Sequence, residues 1–112
     1  MLTWPLLMDA ASLNLYIRGS PIGIIDGPYL SDGTWYGRFR PCPTAVPRVA
    51  EYIWFCIDWN ERARAVGADA SEFDKFAELM TPGTWTIVSA GGEVSELESA
   101  PIFFAGGDIT WG

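Results

Sequence analysis

Between Pro47 and Gly67 the chain has neither glycine nor a further proline, and this stretch, PRVAEYIWFCIDWNERARAV, constrains the fold more than any other. Twenty residues exceed the length of an ordinary strand, so a helix is predicted from Pro47 to about Ala65 or Val66. Pro47 suits a first helical turn, Thr44 lies slightly upstream as a candidate cap, and Gly67 supplies the C-terminal stop. At about 100° per residue, Val49, Tyr52, Ile53, Cys56, Asn60 and Ala63 share one side, flanked by Phe55, Ile57, Trp59 and Val66. The opposite side carries Glu51, Asp58, Glu61 and Arg62, and Trp54 falls among them. The helix is therefore expected to be covered on most of its circumference, leaving one narrow acidic strip wet. Trp54 does not belong on such a strip.

Around this helix the pattern changes period. Leu13, Leu15 and Ile17 alternate with Asn14, Tyr16 and Arg18, which predicts a half-buried strand. GSP breaks it, and IGIID follows as a short strand. YLSDGTWYGRF reads as a hairpin turning at Ser31-Asp32-Gly33, with Trp35, Gly37 and Phe39 on one face and Thr34, Tyr36, Arg38 and Arg40 on the other. Gly37, between two large aromatics, marks a bulge or a close approach. PCPTAVP, with three prolines in seven residues, is a stiff connector.

After the long helix, GADASEFDKFAELMTPG predicts a shorter one. Asp69 and Glu72 form a capping box, and Phe73, Phe76, Ala77 and Met80 form its apolar stripe. TWTIVSAGGEVSELE and APIFFAGGDITW predict two further hairpins, turning at Ala90-Gly91-Gly92 and Gly106-Gly107-Asp108. Strands, two helices, then strands give an α+β fold. An antiparallel sheet from N- and C-terminal hairpins packs against one long and one short helix, in a single domain over residues 1–112.

The net charge of −7 is unevenly spread. Residues 1–56 carry four acids and four bases, whereas residues 57–112 carry ten acids against Arg62, Arg64 and Lys75. A negative surface repels phosphate backbones and anionic lipid, which argues against nucleic-acid and membrane binding and suits a basic partner. MLTWPLLMDAASL lacks a basic flank and is interrupted by Pro5, unlike a secretory signal or a span. Two cysteines, Cys42 and Cys56, in a chain able to build a real core are expected as thiols, which points to the cytoplasm.

The chain has no histidine, which removes the commonest general base and every imidazole-dependent metal site. No phosphate loop or dinucleotide fingerprint is present, and neither a metal nor a cofactor is expected. Carboxylates remain. Glu51, Asp58 and Glu61 can line one helix face as an acid/base set, but Asp58–Arg62 and Arg48–Glu51 also have ion-pair spacing, which makes a solvated face the simpler reading. Asp26 and Asp32 sit in turn contexts, where aspartate bonds the backbone. Cys56 faces inward as a small hydrophobe, and the six tryptophans, Trp54 excepted, are expected mostly in the core.

The expected function is therefore non-enzymatic: an acidic protein-binding domain that docks a basic protein through Glu51, Trp54, Asp58 and Glu61. Small acidic bacterial immunity proteins, which neutralise toxins, are similar in size, charge and lack of catalytic groups, a comparison that no motif carries. The alternative is a β-rich module that binds a small molecule or carbohydrate through Trp35, Tyr36, Arg38 and Trp85.

Overall fold

Two-residue turns set the register of the first three strands. A computed structural model of the chain describes residues 12–43 and 46–112. In it, β1 (Leu13–Ile17) and β2 (Ser20–Ser31) are joined by Arg18 and Gly19, and β2 and β3 (Thr34–Pro41) by Asp32 and Gly33. All four turn residues have positive φ (46°, 83°, 51° and 80°), the backbone whose twist matches a right-twisted hairpin. Arg18 is an unusual residue there, and it is held by its N–H to the Thr84 carbonyl (3.0 Å) and its guanidinium to the Glu78 carbonyl (3.1 Å). The first turn is thus Arg18-Gly19. The predicted breaker GSP instead opens β2: Pro21 lies beyond the end of β3, where no ladder bond is asked of it.

α1 runs Pro47–Ala65, as its uninterrupted sequence predicts. Gly67, at φ 91°, ends it and returns its N–H to the Arg62 carbonyl at 3.0 Å. Thr44 lies outside the described residues. The shorter helix, Ala70–Leu79, is a 3-10 segment kinked at Phe76, opened by the predicted Asp69–Glu72 capping box. Its period of three puts Phe73, Phe76 and Leu79 inward and leaves Ala77 exposed, which corrects the expected α-helical stripe.

The C-terminal strands β4 (Trp85–Ser89), β5 (Val94–Glu96), β6 (Ile102–Phe103) and β7 (Asp108–Trp111) complete a seven-stranded antiparallel sheet, ordered β5-β4-β1-β2-β3-β7-β6. The N-terminal meander sits in the middle, and one C-terminal hairpin extends it at each edge. The inner face contributes Leu15, Ile17, Ile25, Trp85, Ile87, Phe103, Ile109 and Trp111 to one core with Val49, Tyr52, Phe55 and Cys56 of α1 and Phe76 and Leu79 of the 3-10 segment. The buried cluster lies on the inner face alone, where both helical segments pack. α1 is consequently covered on one side. Ile53 and Ile57 are half-buried and Val66 is exposed, so its coverage is less than its sequence predicts.

Two glycines are required by close approach. A Cβ on Gly23 would meet the Arg40 backbone carbonyl and the Phe39 ring, and one on Gly37 would lie 2.5 Å from Ile25 Cγ2. Close approach, not a bulge, accounts for Gly37. Gly23→Ala is expected to destabilise by about 2–3 kcal/mol and Gly37→Ala by about 1–2 kcal/mol, because a side-chain methyl yields more readily than a carbonyl. Gly91→Ala, with only Ser89 Oγ nearby at 3.8 Å, serves as the neutral control, and urea midpoints measure all three.

Candidate functional site

The placement of Tyr52 and Cys56 decides that of Trp54. Both are fully buried, and Trp54 lies two residues from each, about 200° around the helix. Its side chain is therefore driven outward, and Trp54 is 71% exposed. Ile57 follows one turn later, and Ile53 and Ile57 continue into a groove of about 190 Å3 lined by Phe39, Pro41, Phe103 and Phe104. The sequence places Ile53 on the covered side and Ile57 on its flank, and both are only half-buried. The end of β3 and β6 border them without covering them, while the 3-10 segment protects the opposite flank, where Phe55 and Trp59 meet Phe73. An exposed indole beside an open apolar groove is the result.

The predicted acids Glu51, Asp58 and Glu61 all face solvent, but they do not form an uncompensated strip. Glu51 pairs with Arg48 (3.3 Å), Asp58 with Arg62 (2.8 Å) and Glu61 with Arg64 (3.8 Å), each at i, i+3 or i, i+4 spacing. Arg62 also reaches Glu72 with two nitrogens (3.1 and 2.8 Å), and Arg48 reaches Glu78 (2.6 Å) and the Lys75 carbonyl. The acidic face is thus a balanced rim of ion pairs around Trp54. Among the described residues, acids without an ion pair include Asp74, Glu93, Glu96 and Glu98, so much of the excess charge sits away from α1.

The sheet aromatics chosen by sequence do not converge. Trp85 is fully buried, donating its indole N–H to the Leu79 carbonyl at 2.8 Å, so no ligand can reach it. Trp35 lies on the inner face, stacked on Trp111 with centroids 6.0 Å apart, whereas Tyr36 and Arg38 point to the outer face. Strand alternation separates the pairs. What does gather on the outer face is the expected Tyr36 and Arg38, joined by Tyr29 and Asp108, which the sequence reading missed. No sequence period signals that grouping, because β7 is far away in the chain and a bulge redirects Tyr29.

No group of three or more His, Cys, Asp or Glu side chains among the described residues could hold a metal ion. Asp26 lies in β2, not in a turn, and is bound by Arg40 (2.5 Å) and Ser12 Oγ (3.1 Å), while Asp32 occupies the turn expected of it. Both cysteines are free. Burial pushes the thiol of Cys56 and the phenol of Tyr52 up, and the Tyr52 hydroxyl donates to the Pro101 carbonyl at 2.8 Å. Neither is poised as a nucleophile. Trp4 lies outside the described residues. No helix among the described residues is long and apolar enough to cross a membrane. No protein-family model, no curated protein and no solved structure matches this chain.

Trp54→Ala is expected to leave the urea-derived stability within about 0.5 kcal/mol of the parent, whereas Trp85→Ala costs about 3–5 kcal/mol. The ion pairs carry a pH signature. Hydrogen bonds from Arg40, Arg62 and Arg48 hold the carboxyls of Asp26, Glu72 and Glu78 below their usual range. A folded pKa below the unfolded one means that the stabilisation is complete above about pH 5 and is lost as pH falls through the unfolded and then the folded values. The urea midpoint is expected to decline below about pH 5, and Glu72→Gln to make that decline shallower.

Proposed function

We propose that this chain is a non-enzymatic protein-binding domain that docks a basic protein through α1, with Trp54 as anchor and Glu51, Asp58 and Glu61 at the rim. The observation that carries the reading is the 71% exposure of Trp54 beside the groove under Ile53 and Ile57. Tryptophan in an interface fills a partner pocket and concentrates binding energy, while near-neutral neighbours exclude water around it. The rim acids are each paired with an arginine of the same helix, and exposed pairs of this kind are worth about 0–1 kcal/mol. A partner's lysine or arginine can replace the resident arginine at little cost, so the rim sets register more than affinity. The net charge of −7 then draws a basic partner during encounter. An immunity-type inhibitor that caps a basic toxin is one function of this kind. Two free thiols agree with a cytoplasmic site of action.

The test is co-purification of the full chain with its partner from the native host, followed by binding measurements on the isolated pair. Trp54→Ala is expected to weaken the complex by at least about 2 kcal/mol, roughly 30-fold in Kd, and Leu30→Ala on the sheet to leave it unchanged. Raising salt is expected to slow association. A complex indifferent to Trp54 and Ile57 substitutions places docking elsewhere and overturns the reading.

A further inference from the structure

A cleft on the outer face of the sheet, which meets the α1 groove at Phe104 and Asp108 but does not include Trp54, has the features of a ligand site. It is built by a bulge. Asp26 pairs with Arg38 and Tyr29 with Tyr36, so three residues of β2 span what two residues of β3 span. In an unbroken strand Tyr29 would face the opposite side from Asp26. The extra residue, at Gly27 (φ 59°) and Pro28, returns it to the same face. Tyr29 then lies against Tyr36 in an offset stack, with centroids 5.2 Å apart and planes 13° from parallel, and remains 58% exposed. Next to the stack, β7 supplies Thr110 opposite Tyr36 and Asp108 opposite Arg38. Arg38 is fixed by Asp108 (3.4 Å) and by the Gly106 carbonyl (2.8 Å). Together with Phe104 these residues line a cleft of about 370 Å3, within the roughly 300–1,000 Å3 range of small-molecule sites.

The chemistry of the lining selects among ligands. Arg38 and Asp108 cancel, so the cleft offers donors and acceptors side by side without net charge. A phosphate or sulfate would meet the Asp108 carboxylate and the field of a chain of charge −7. A wholly apolar ligand would strip water from Arg38, Asp108 and Thr110 and return no hydrogen bond. A neutral sugar ring avoids both penalties. Its C–H face rests on a tyrosine ring, and the hydroxyls on its rim meet the guanidinium, the carboxylate and the threonine hydroxyl. We propose that the Tyr29–Tyr36 stack with Arg38, Asp108 and Thr110 is a binding site for a neutral oligosaccharide.

The experiment is an NMR titration of the isotopically labelled full chain with cellotetraose, maltotetraose and N,N′,N″-triacetylchitotriose. A sulfated disaccharide and a proline-rich peptide serve as comparison arms. With at least one neutral sugar, the amides of Gly37, Arg38, Asp108 and Thr110 are expected to shift, with a Kd on the order of 1 mM. Asp108→Asn and Tyr29→Ala, both at exposed positions, are each expected to weaken binding about tenfold with an unchanged amide spectrum elsewhere. Trp54→Ala is expected to have no effect, which separates this site from α1. No shift on this face with any of the three sugars at about 10 mM overturns the proposal. So does binding that survives both substitutions, or binding there of the sulfated sugar or the peptide in preference to all neutral sugars.

Discussion

The burial of Tyr52 is the interaction on which the rest of the structure depends. Its ring meets Phe76 of the 3-10 segment (5.3 Å), Trp85 of β4 (5.9 Å) and Phe103 of β6 (6.1 Å), and its hydroxyl is satisfied by the Pro101 carbonyl. One side chain thus ties the helix to the 3-10 segment and to strands from both C-terminal hairpins, which extend opposite edges of the sheet. Edge-to-face geometry and a satisfied hydroxyl let so large a residue be buried without an orphaned polar atom. Fixing Tyr52 also fixes the rotation of α1. That rotation sends Trp54 to solvent, so the core and the proposed docking surface have a common cause.

Arginine holds the outer layer in place. Arg48 and Arg62 each reach from α1 to the 3-10 segment, one near each end of it, and Trp59 adds an indole hydrogen bond to the Asp69 carbonyl at 3.0 Å. Arg48 also lies over the Phe76 ring at 4.3 Å. A forked, planar cation can serve a carboxylate, a carbonyl and a ring face together, which a lysine cannot. The same helix matches its three acids with its own three arginines. Its recognition surface is therefore distinguished by an exposed indole more than by charge.

Both faces of β3 carry aromatics, and the two faces have different fates. Trp35 stacks on Trp111 on the inner face but stays 37% exposed at its margin, while Tyr36 joins Tyr29 on the open side. Alternation along β3 was legible, and so was the need for glycine at position 37. The convergence with Tyr29 and Asp108 was not, since it requires a bulge in β2 and the seating of β7 against β3. The tryptophans divide in the same way: Trp85 and Trp111 are buried, Trp59 is half-covered, and Trp54 stands out because of helical phase. Residue type gave no means of separating them.

From the sequence alone came the long helix with its glycine stop, the capping box at Asp69, the Asp32-Gly33 turn, the hairpin order and the outward phase of Trp54. Each of these is set by interactions within a few residues, through backbone sterics, hydrogen bonding of turns and caps, and the period of side chains. Tertiary structure decided the 3-10 winding of residues 70–79, the half-burial of Ile53 and Ile57, the reach of Arg48 and Arg62 to Glu78 and Glu72 of the 3-10 segment, and the cleft between β2, β3 and β7. Those depend on which distant elements meet and how far each covers its neighbour, and local periodicity carries no record of that distance.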